Sequence, residues 1–227
     1  MKYRHHTITL LSVISLLCTG MSVRLHAQAI KGVAIAGFNA TQVDGDEVFG
    51  YHKFGLNLGA SAIIPINKRW MIGLENIYNQ KGAIQRAQYA DSAKNGAYRL
   101  LLNYVEVPLL LLYEDKETMT FGTGVSWGRL FNVKEYEHGF RVDSTTLSGP
   151  YHRSDWNILV DVRFRIYQQL KFNFRYAYSI VKIRERHYYN FHQGAWDRKQ
   201  YNNVLSFRLL YYFNEKPSKK RKKTDDI

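Results

Sequence analysis

Two pairs of residues have the types and spacing that could do chemistry. His152 and Ser154 lie two positions apart, which combines an imidazole base with a hydroxyl nucleophile, as acyl transfer requires. His187 and His192 lie five positions apart and fit no common metal-ligand spacing. The single cysteine, Cys18, lies near the amino terminus, which excludes a thiolate site in the rest of the chain. We therefore expect no cofactor and no metal.

The first 27 residues have the features of a secretory signal peptide. Lys2 and Arg4 precede an apolar stretch over 8–18, and small residues follow at 27–29. Cleavage is expected after Ala27 or Ala29, with 1–27 as the signal peptide. Cys18 could instead be acylated as in a lipoprotein, although the leucine before it is larger than such a site favours. Cleavage after Ala27 leaves about 200 residues, a size that fits one all-β domain.

Nearly half of the formal net charge of +13 lies at the two ends of the chain. Three positive charges belong to the signal peptide, and the tail over 214–227 adds a net +3. The basic run of that tail consists of Lys219, Lys220, Arg221, Lys222 and Lys223. The remaining +7 is spread along the chain without a nucleic-acid-binding motif, so we expect no nucleic-acid partner. The tail is predicted to be disordered and solvated, with contact to an acidic envelope component as the alternative.

Alternation of apolar and polar residues over about a dozen positions indicates long β-strands. The pattern runs from Phe54 to Ile64, from Trp156 to Ile166 and from Leu170 to Ile180. Strands of soluble sandwiches average about 5–6 residues, whereas a tilted strand needs about ten to cross a bilayer. The same pattern predicts eight strands near 30–39, 53–65, 69–81, 99–113, 118–130, 154–166, 170–180 and 200–213.

The connections between these strands alternate in length. Those at 65–68, 114–117 and 167–169 are short, and those at 41–52, 82–98, 132–153 and 184–199 are long and polar. Outer-membrane barrels have this rhythm. Aromatic residues near the strand ends are typical of interfacial girdles: Trp70, Tyr78, Tyr113, Trp127, Trp156, Tyr178, Tyr201 and Tyr211. We predict an all-β fold over 28–213, an eight-stranded antiparallel up-and-down transmembrane β-barrel in the outer membrane. A soluble ligand-binding barrel is the alternative.

Several short motifs carry a family likeness in their order and spacing. They are AGFNA at 36–40, GD at 45–46, GYHKFG at 50–55, Glu75 with YNQKG at 78–82, and YVEVPL at 104–109. Together they resemble the PorT-like outer-membrane β-barrel family of Gram-negative bacteria over nearly the whole mature chain. The resemblance implies an eight-stranded outer-membrane barrel, and its founding member takes part in type IX protein secretion. The basic tail after strand eight departs from the usual ending of outer-membrane barrels.

If the apolar strand faces contact lipid, the polar faces fill the barrel lumen. An eight-stranded barrel is only wide enough for its own side chains, so acids and bases there must pair. The predicted lumen charge network consists of Glu75, Glu106, Asp161, Arg163, Arg165, Lys171, Arg175 and Arg208. Asn103 and Glu106 have opposite parity on strand four, which predicts a bulge or the membrane edge near Asn103.

The loop after strand seven offers an interaction surface through His187, Tyr188, Tyr189, Phe191 and Trp196. We predict a non-enzymatic, monomeric barrel that contacts outer-membrane lipid and lipopolysaccharide, and also envelope or secretion proteins. One alternative is a lipid-A-modifying enzyme that uses His152 and Ser154 at the outer end of strand six. The other is a narrow diffusion pore.

Overall fold

The computed structural model describes residues 30–89, 95–116, 118–190 and 194–213, so the predicted signal peptide and basic tail lie outside the described residues. This part of the chain folds into β1 (Lys31–Asp44), β2 (Lys53–Pro65), β3 (Trp70–Gln85), β4 (Tyr98–Asp115), β5 (Met119–Glu137), β6 (Phe140–Arg141), β7 (Ser154–Tyr167), β8 (Leu170–Ser179), β9 (Arg184–Asn190) and β10 (Gly194–Tyr212). Within these ranges, no helix has the length and apolar character that a membrane span requires.

Eight strands form one antiparallel ring in the order β1-β2-β3-β4-β5-β7-β8-β10, and pairing of β10 with β1 closes it. The prediction of an eight-stranded up-and-down barrel is confirmed. The short strand β6 extends β5, and β9 forms a hairpin with the first half of β10. Both additions lie at the end of the barrel where the long loops are, which we call the long-loop end. The opposite end is the short-turn end.

The strands are staggered around the ring. Following paired residues once around the barrel leads from Gly32 through Ala62, Leu74, Leu109, Val125, Ile158, Tyr178 and Asn203 to Gln42, ten residues further along β1. Such a stagger tilts the strands by about 40° from the barrel axis. The interior of an eight-stranded barrel is then just wide enough to be filled by side chains.

The period-2 pattern of the sequence separates the two faces of the wall. Phe54, Leu109 and Ile158 point outward and remain exposed, and they belong to an apolar belt around the barrel. Residues of the opposite parity, such as Glu75 and Asp161, point inward and are almost completely buried. A wall that is apolar outside and polar inside is the reverse of a soluble barrel and fits contact with lipid.

A β-bulge lies beside Asn103, but it does not interrupt the alternation of strand four. The pairing of β4 with β5 shifts between Asn103 and Tyr104, which pair with Asn132 and Leu130 and leave Phe131 as the extra residue. The bulge therefore lies on β5, and not on strand four itself. Asn103 is half-buried on the outer side, whereas Glu106 points inward.

The strands extend further at the long-loop end than their alternation predicts. β1 continues to Asp44 and β5 to Glu137, and the loop predicted over 184–199 is largely the β9–β10 hairpin. Strand pairing continues in these segments after the apolar face has ended. Because they lie beyond the apolar belt, no alternation of hydrophobicity marks them.

Candidate functional site

The half of the lumen nearer the short-turn end contains a buried cluster of three arginines and two carboxylates. We call it the Glu75 cluster: Glu75, Asp161, Arg163, Arg175 and Arg208. Arg175 donates to both Glu75 oxygens at 2.8 and 2.9 Å and to Asp161 at 2.6 Å. Arg163 binds Asp161 at 2.7 Å and Glu75 at 3.2 Å. Arg208 reaches the same two acids at 3.3 and 3.2 Å. Every acid of the cluster therefore contacts all three arginines.

A second cluster lies closer to the long-loop end. This Lys81 cluster consists of Lys81, Glu106 and Asp155. The Lys81 ammonium lies 2.6 Å from Glu106 and 3.0 Å from Asp155, and it also sits 5.1 Å from the ring centre of Tyr104. Ser179 donates a hydrogen bond of 2.7 Å to Asp155. All three charged side chains are at most 4% exposed.

Side-chain amides extend the Lys81 cluster across the lumen. Asn79 donates to Glu106 at 2.8 Å and accepts from Asn39 at 2.5 Å, and Ser206 donates to Asn39 at 2.8 Å. The Glu75 cluster has one excess positive charge, and the Lys81 cluster has one excess negative charge. Four cations and four anions balance one another in the two clusters, which limits the cost of burying them.

The predicted lumen network divides into three places. Five of its residues form the Glu75 cluster, and Glu106 belongs to the Lys81 cluster. Lys171 lies at the short-turn end, where its ammonium is 2.9 Å from Glu114 and 4.5 Å from the ring centre of Tyr212. Arg165 lies at the same end and donates to the carbonyl of Gln168 at 2.6 Å. These last two cations belong to the rim of the barrel rather than to its interior.

A third polar cluster, the Glu135 hub, joins the long loops at the long-loop end. Glu135 accepts hydrogen bonds from Thr145 at 2.5 Å, Arg184 at 2.8 Å and Tyr98 at 2.9 Å. Arg184 also donates to Tyr151 at 2.8 Å and lies over its ring. The hub therefore holds the ends of β4, β5 and β9 and the loop before β7 together.

The charges of the hub reinforce one another. Burial by itself raises the pKa of Glu135, but the hydrogen bond from Thr145 and the charge of Arg184 outweigh it, so the pKa lies below its ordinary value. Burial raises the pKa of both Tyr98 and Tyr151, which keeps their hydroxyls protonated as donors. The carboxylate is thus ionised and saturated with donors at neutral pH.

The predicted interaction loop is a β-hairpin in the structure. His187 and Asp197 face each other across it in an exposed contact, and Trp196 is half-buried. The backbones of Tyr188 and Tyr189 pair with Trp196 and Ala195. The side chains of those two tyrosines, together with Phe191 and His192, lie outside the described residues.

The candidate catalytic pair is not assembled as a base and a nucleophile. The Ser154 hydroxyl lies 3.3 Å from an Arg129 nitrogen, and His152 is exposed. In the described part of the chain, no hydrogen bond joins the His152 imidazole to Ser154. Nor do three or more His, Cys, Asp or Glu side chains come together there in a group that could hold a metal ion.

Sequence reasoning missed several residues of the lumen and the rim. Lys81 has the same parity as Glu75 and Asn79, so alternation could have placed it inside, although it lies near the predicted end of strand three. Asp155 has the same parity as Asp161, so alternation also places it inside the barrel. Glu135 and Arg184 carry no such signal, because they lie in segments predicted as loops.

A sequence comparison decides the family. Residues 28–185 match the model of the outer membrane protein beta-barrel domain, which is more than half of the chain. The chain belongs to this family. A search of the curated proteins finds no sequence match.

Solved structures of outer-membrane barrels are similar to this family member at low identity. Ail of Yersinia pestis has 15% identity and a TM-score of 0.42, covering 80% of this chain and 99% of Ail. Neisserial surface protein A has 12% identity and a TM-score of 0.46, covering 79% and 96%. OprG of Pseudomonas aeruginosa has 14% identity and a TM-score of 0.41, covering 82% and 97%. The strand pairing described above establishes the barrel without them.

Membership of the outer membrane protein beta-barrel family places the barrel in the outer membrane and orients it. Short turns face the periplasm in such barrels, and long loops face the exterior. The Glu75 cluster therefore lies on the periplasmic side of the Lys81 cluster, and the Glu135 hub lies at the extracellular surface. The interior is arranged as a packed, ion-paired filling between these two surfaces.

Proposed function

We propose that this protein is a closed, non-enzymatic outer-membrane barrel that serves as a rigid membrane anchor for contacts with other envelope components. The observation that carries the proposal is the burial of the lumen charges. Arg163, Arg208 and Lys81 are at most 1% exposed. Water therefore hardly reaches the cations that an open pore would have to hydrate. Their ion pairs join strands on different sides of the ring, which favours a plug over a channel.

The first test is electrical. Purified protein reconstituted in a planar bilayer is expected to give no conductance steps above the empty membrane, because both charge clusters block the lumen. As a positive control, an established general porin is reconstituted in the same lipid. Reproducible steps from the wild-type protein would support the narrow-pore alternative, and steps from Arg175→Ala alone would support the plug.

The anchor role is favoured by the Glu135 hub. Hub contacts fix the loop before β7 and the β9–β10 hairpin relative to the barrel wall, so a partner would meet a preorganised surface with little ordering cost. Exposed His187 and Asp197 lie on this hairpin. We further propose that the partners include outer-membrane lipid, lipopolysaccharide and envelope proteins, with the barrel itself monomeric.

The resemblance to PorT-like barrels supports extending this role to type IX secretion. Deletion of the gene is then expected to retain type IX cargo inside the cell, and complementation with the wild-type gene restores export. A complementing variant with the hairpin shortened at 187–197 tests whether this surface makes the contact, with barrel abundance in the outer membrane as the control. Normal cargo export in the deletion strain would remove the secretion role and leave the anchor role in place.

The enzymatic alternative has a weaker basis in the geometry. Ser154 contacts Arg129 rather than a base, and acyl transfer needs an activated hydroxyl. The proposal therefore expects lipid A from a deletion strain to be identical by mass spectrometry to that of the parent. An altered acyl pattern that the wild type restores and Ser154→Ala does not would establish the enzyme instead.

A further inference from the structure

A cavity of about 320 Å³ opens at the extracellular surface, outside the lumen. It lies between the β1–β2 loop, the outer ends of β3, β4 and β5, and β9. Its lining includes Asp46, Gln88, Glu137, His138 and Arg186. The volume is at the lower end of the range for sites that hold a small organic molecule.

Asp46 is the unusual residue of this cavity. Its side chain is buried at 7% exposure, and one carboxylate oxygen accepts a hydrogen bond of 2.8 Å from the backbone nitrogen of Val48. The other oxygen is buried and has no hydrogen-bond partner. A buried carboxylate oxygen without a donor is costly, and most such groups in proteins are satisfied.

The neighbouring cations are each paired with another acid, which leaves Asp46 and Asp44 without an ion pair. Glu137 is paired with Arg186 at 2.9 Å, and Glu47 with Arg198 at 3.3 Å. Asp44 on β1 adds a further negative charge beside Asp46. Among the described residues, no ion pair involves Asp46 or Asp44, so the four acids around the cavity exceed the two arginines by two charges.

We propose that this cavity binds a small molecule with a primary ammonium group, for which Asp46 is the counter-ion. An ammonium supplies the donor that the free carboxylate oxygen lacks and balances the excess negative charge. Gln88 and Gln85 line the same cavity and carry amide oxygens that can accept the remaining ammonium protons. A divalent metal ion fits less well, because it requires about six oxygen ligands and no three His, Cys, Asp or Glu side chains among the described residues come together to hold one.

The titration of Asp46 gives the site a characteristic pH dependence. Burial raises the pKa of this carboxyl to about 7, and the hydrogen bond from Val48 only partly opposes the shift. Three acids face it: Asp44 on β1, Glu47 in its own loop and Glu137 at the end of β5. His138 follows β5, and Arg186 and Arg198 lie on the hairpin. Because only the ionised carboxylate pairs with ammonium, affinity is expected to rise about tenfold between pH 6 and pH 8.

The experiment uses the full barrel refolded in detergent and two pairs of probes. 1-Aminobutane and 1,5-diaminopentane stay protonated at pH 8, and 1-butanol and 1,5-pentanediol are their neutral counterparts. Calorimetric titration at pH 8 is expected to show binding of at least one ammonium probe and of neither neutral probe. Asp46→Asn should weaken that binding at least tenfold and abolish its pH dependence.

Two further variants serve as controls. Glu137→Gln removes an acid that is already paired and should change the affinity less than threefold. His138→Gln removes the imidazole that lines the same cavity and should preserve the pH dependence. Equal binding of the neutral probes, unchanged binding by Asp46→Asn, or no binding of either ammonium probe at about 10 mM would overturn the proposal. None of these outcomes bears on conductance or on cargo export, so the site and the anchor role are tested separately.

Discussion

Glu75→Leu is expected to lower the free energy of unfolding of the barrel by about 3–5 kcal/mol, because it leaves buried arginine charge uncompensated. Glu75 is the acid that pairs with Arg163, Arg175 and Arg208 from three different strands. Its loss leaves three arginines around Asp161 alone. The measurement is urea unfolding in lipid vesicles, followed by tryptophan fluorescence.

Two controls separate the charge effect from the loss of packing. The double variant Glu75→Leu/Arg175→Leu returns the cluster to its original net charge and is expected to recover a large part of the stability. Glu137→Gln removes an acid whose pair with Arg186 is about one-third exposed, and should cost less than about 1 kcal/mol. A Glu75→Leu protein within about 1 kcal/mol of the wild type would contradict the charge explanation.

Glu135→Ala is expected to release the extracellular loops while the barrel stays folded. It removes the acceptor shared by Tyr98, Thr145 and Arg184 and leaves the Arg184 charge partly buried without it. Hydrogen exchange in the loop over 138–153 should accelerate by about a hundredfold, which corresponds to about 3 kcal/mol. Hydrogen exchange with mass spectrometry measures this directly, and the spanning strands provide the internal reference.

Glu137→Ala is the matched control for the hub. Glu137 lies two residues further along β5, but its pair with Arg186 is about one-third exposed and should contribute less than about 1 kcal/mol. Acidification provides a second check, since the depressed pKa of Glu135 means that the hub is stable above the ordinary glutamate pKa and is lost as the pH falls through the lower folded-state value. Equal exchange in the two alanine variants would refute the hub.

Alternation made the barrel predictable from the sequence, and its physical origin also explains what was missed. Where a strand has lipid on one side and a packed lumen on the other, every second residue must be apolar, so Trp156 to Ile166 indicates both the strand and its inward face. That logic placed Glu75, Asp161 and Arg175 inside. Past the apolar belt both faces can be polar, and the hairpin that contains His187 therefore looked like a loop.

The alternation of apolar and polar residues does not predict contacts between distant parts of the chain. Parity shows that Arg208 and Glu75 point inward, but it does not show which cation meets which acid, because that depends on the stagger of ten residues around the ring. The bulge at Phe131 illustrates the same limit. The alternation of β4 continues unbroken from Asn103 to Glu106, and only the pairing of the two strands shows that β5 has an extra residue.

The charge balance between the Glu75 and Lys81 clusters affects how the barrel is expected to enter the membrane. The β3–β4 pair carries one excess negative charge, from Glu75, Glu106 and Lys81, whereas β7 and β8 balance their own charges and β10 supplies the compensating Arg208. Counting the charges of the two clusters alone, a run of consecutive strands that contains β3 and β4 but stops before β10 keeps a net negative charge. Exposing such charges to hydrocarbon is expensive. Insertion is therefore expected to be completed together with ring closure, when β10 pairs with β1, rather than strand by strand.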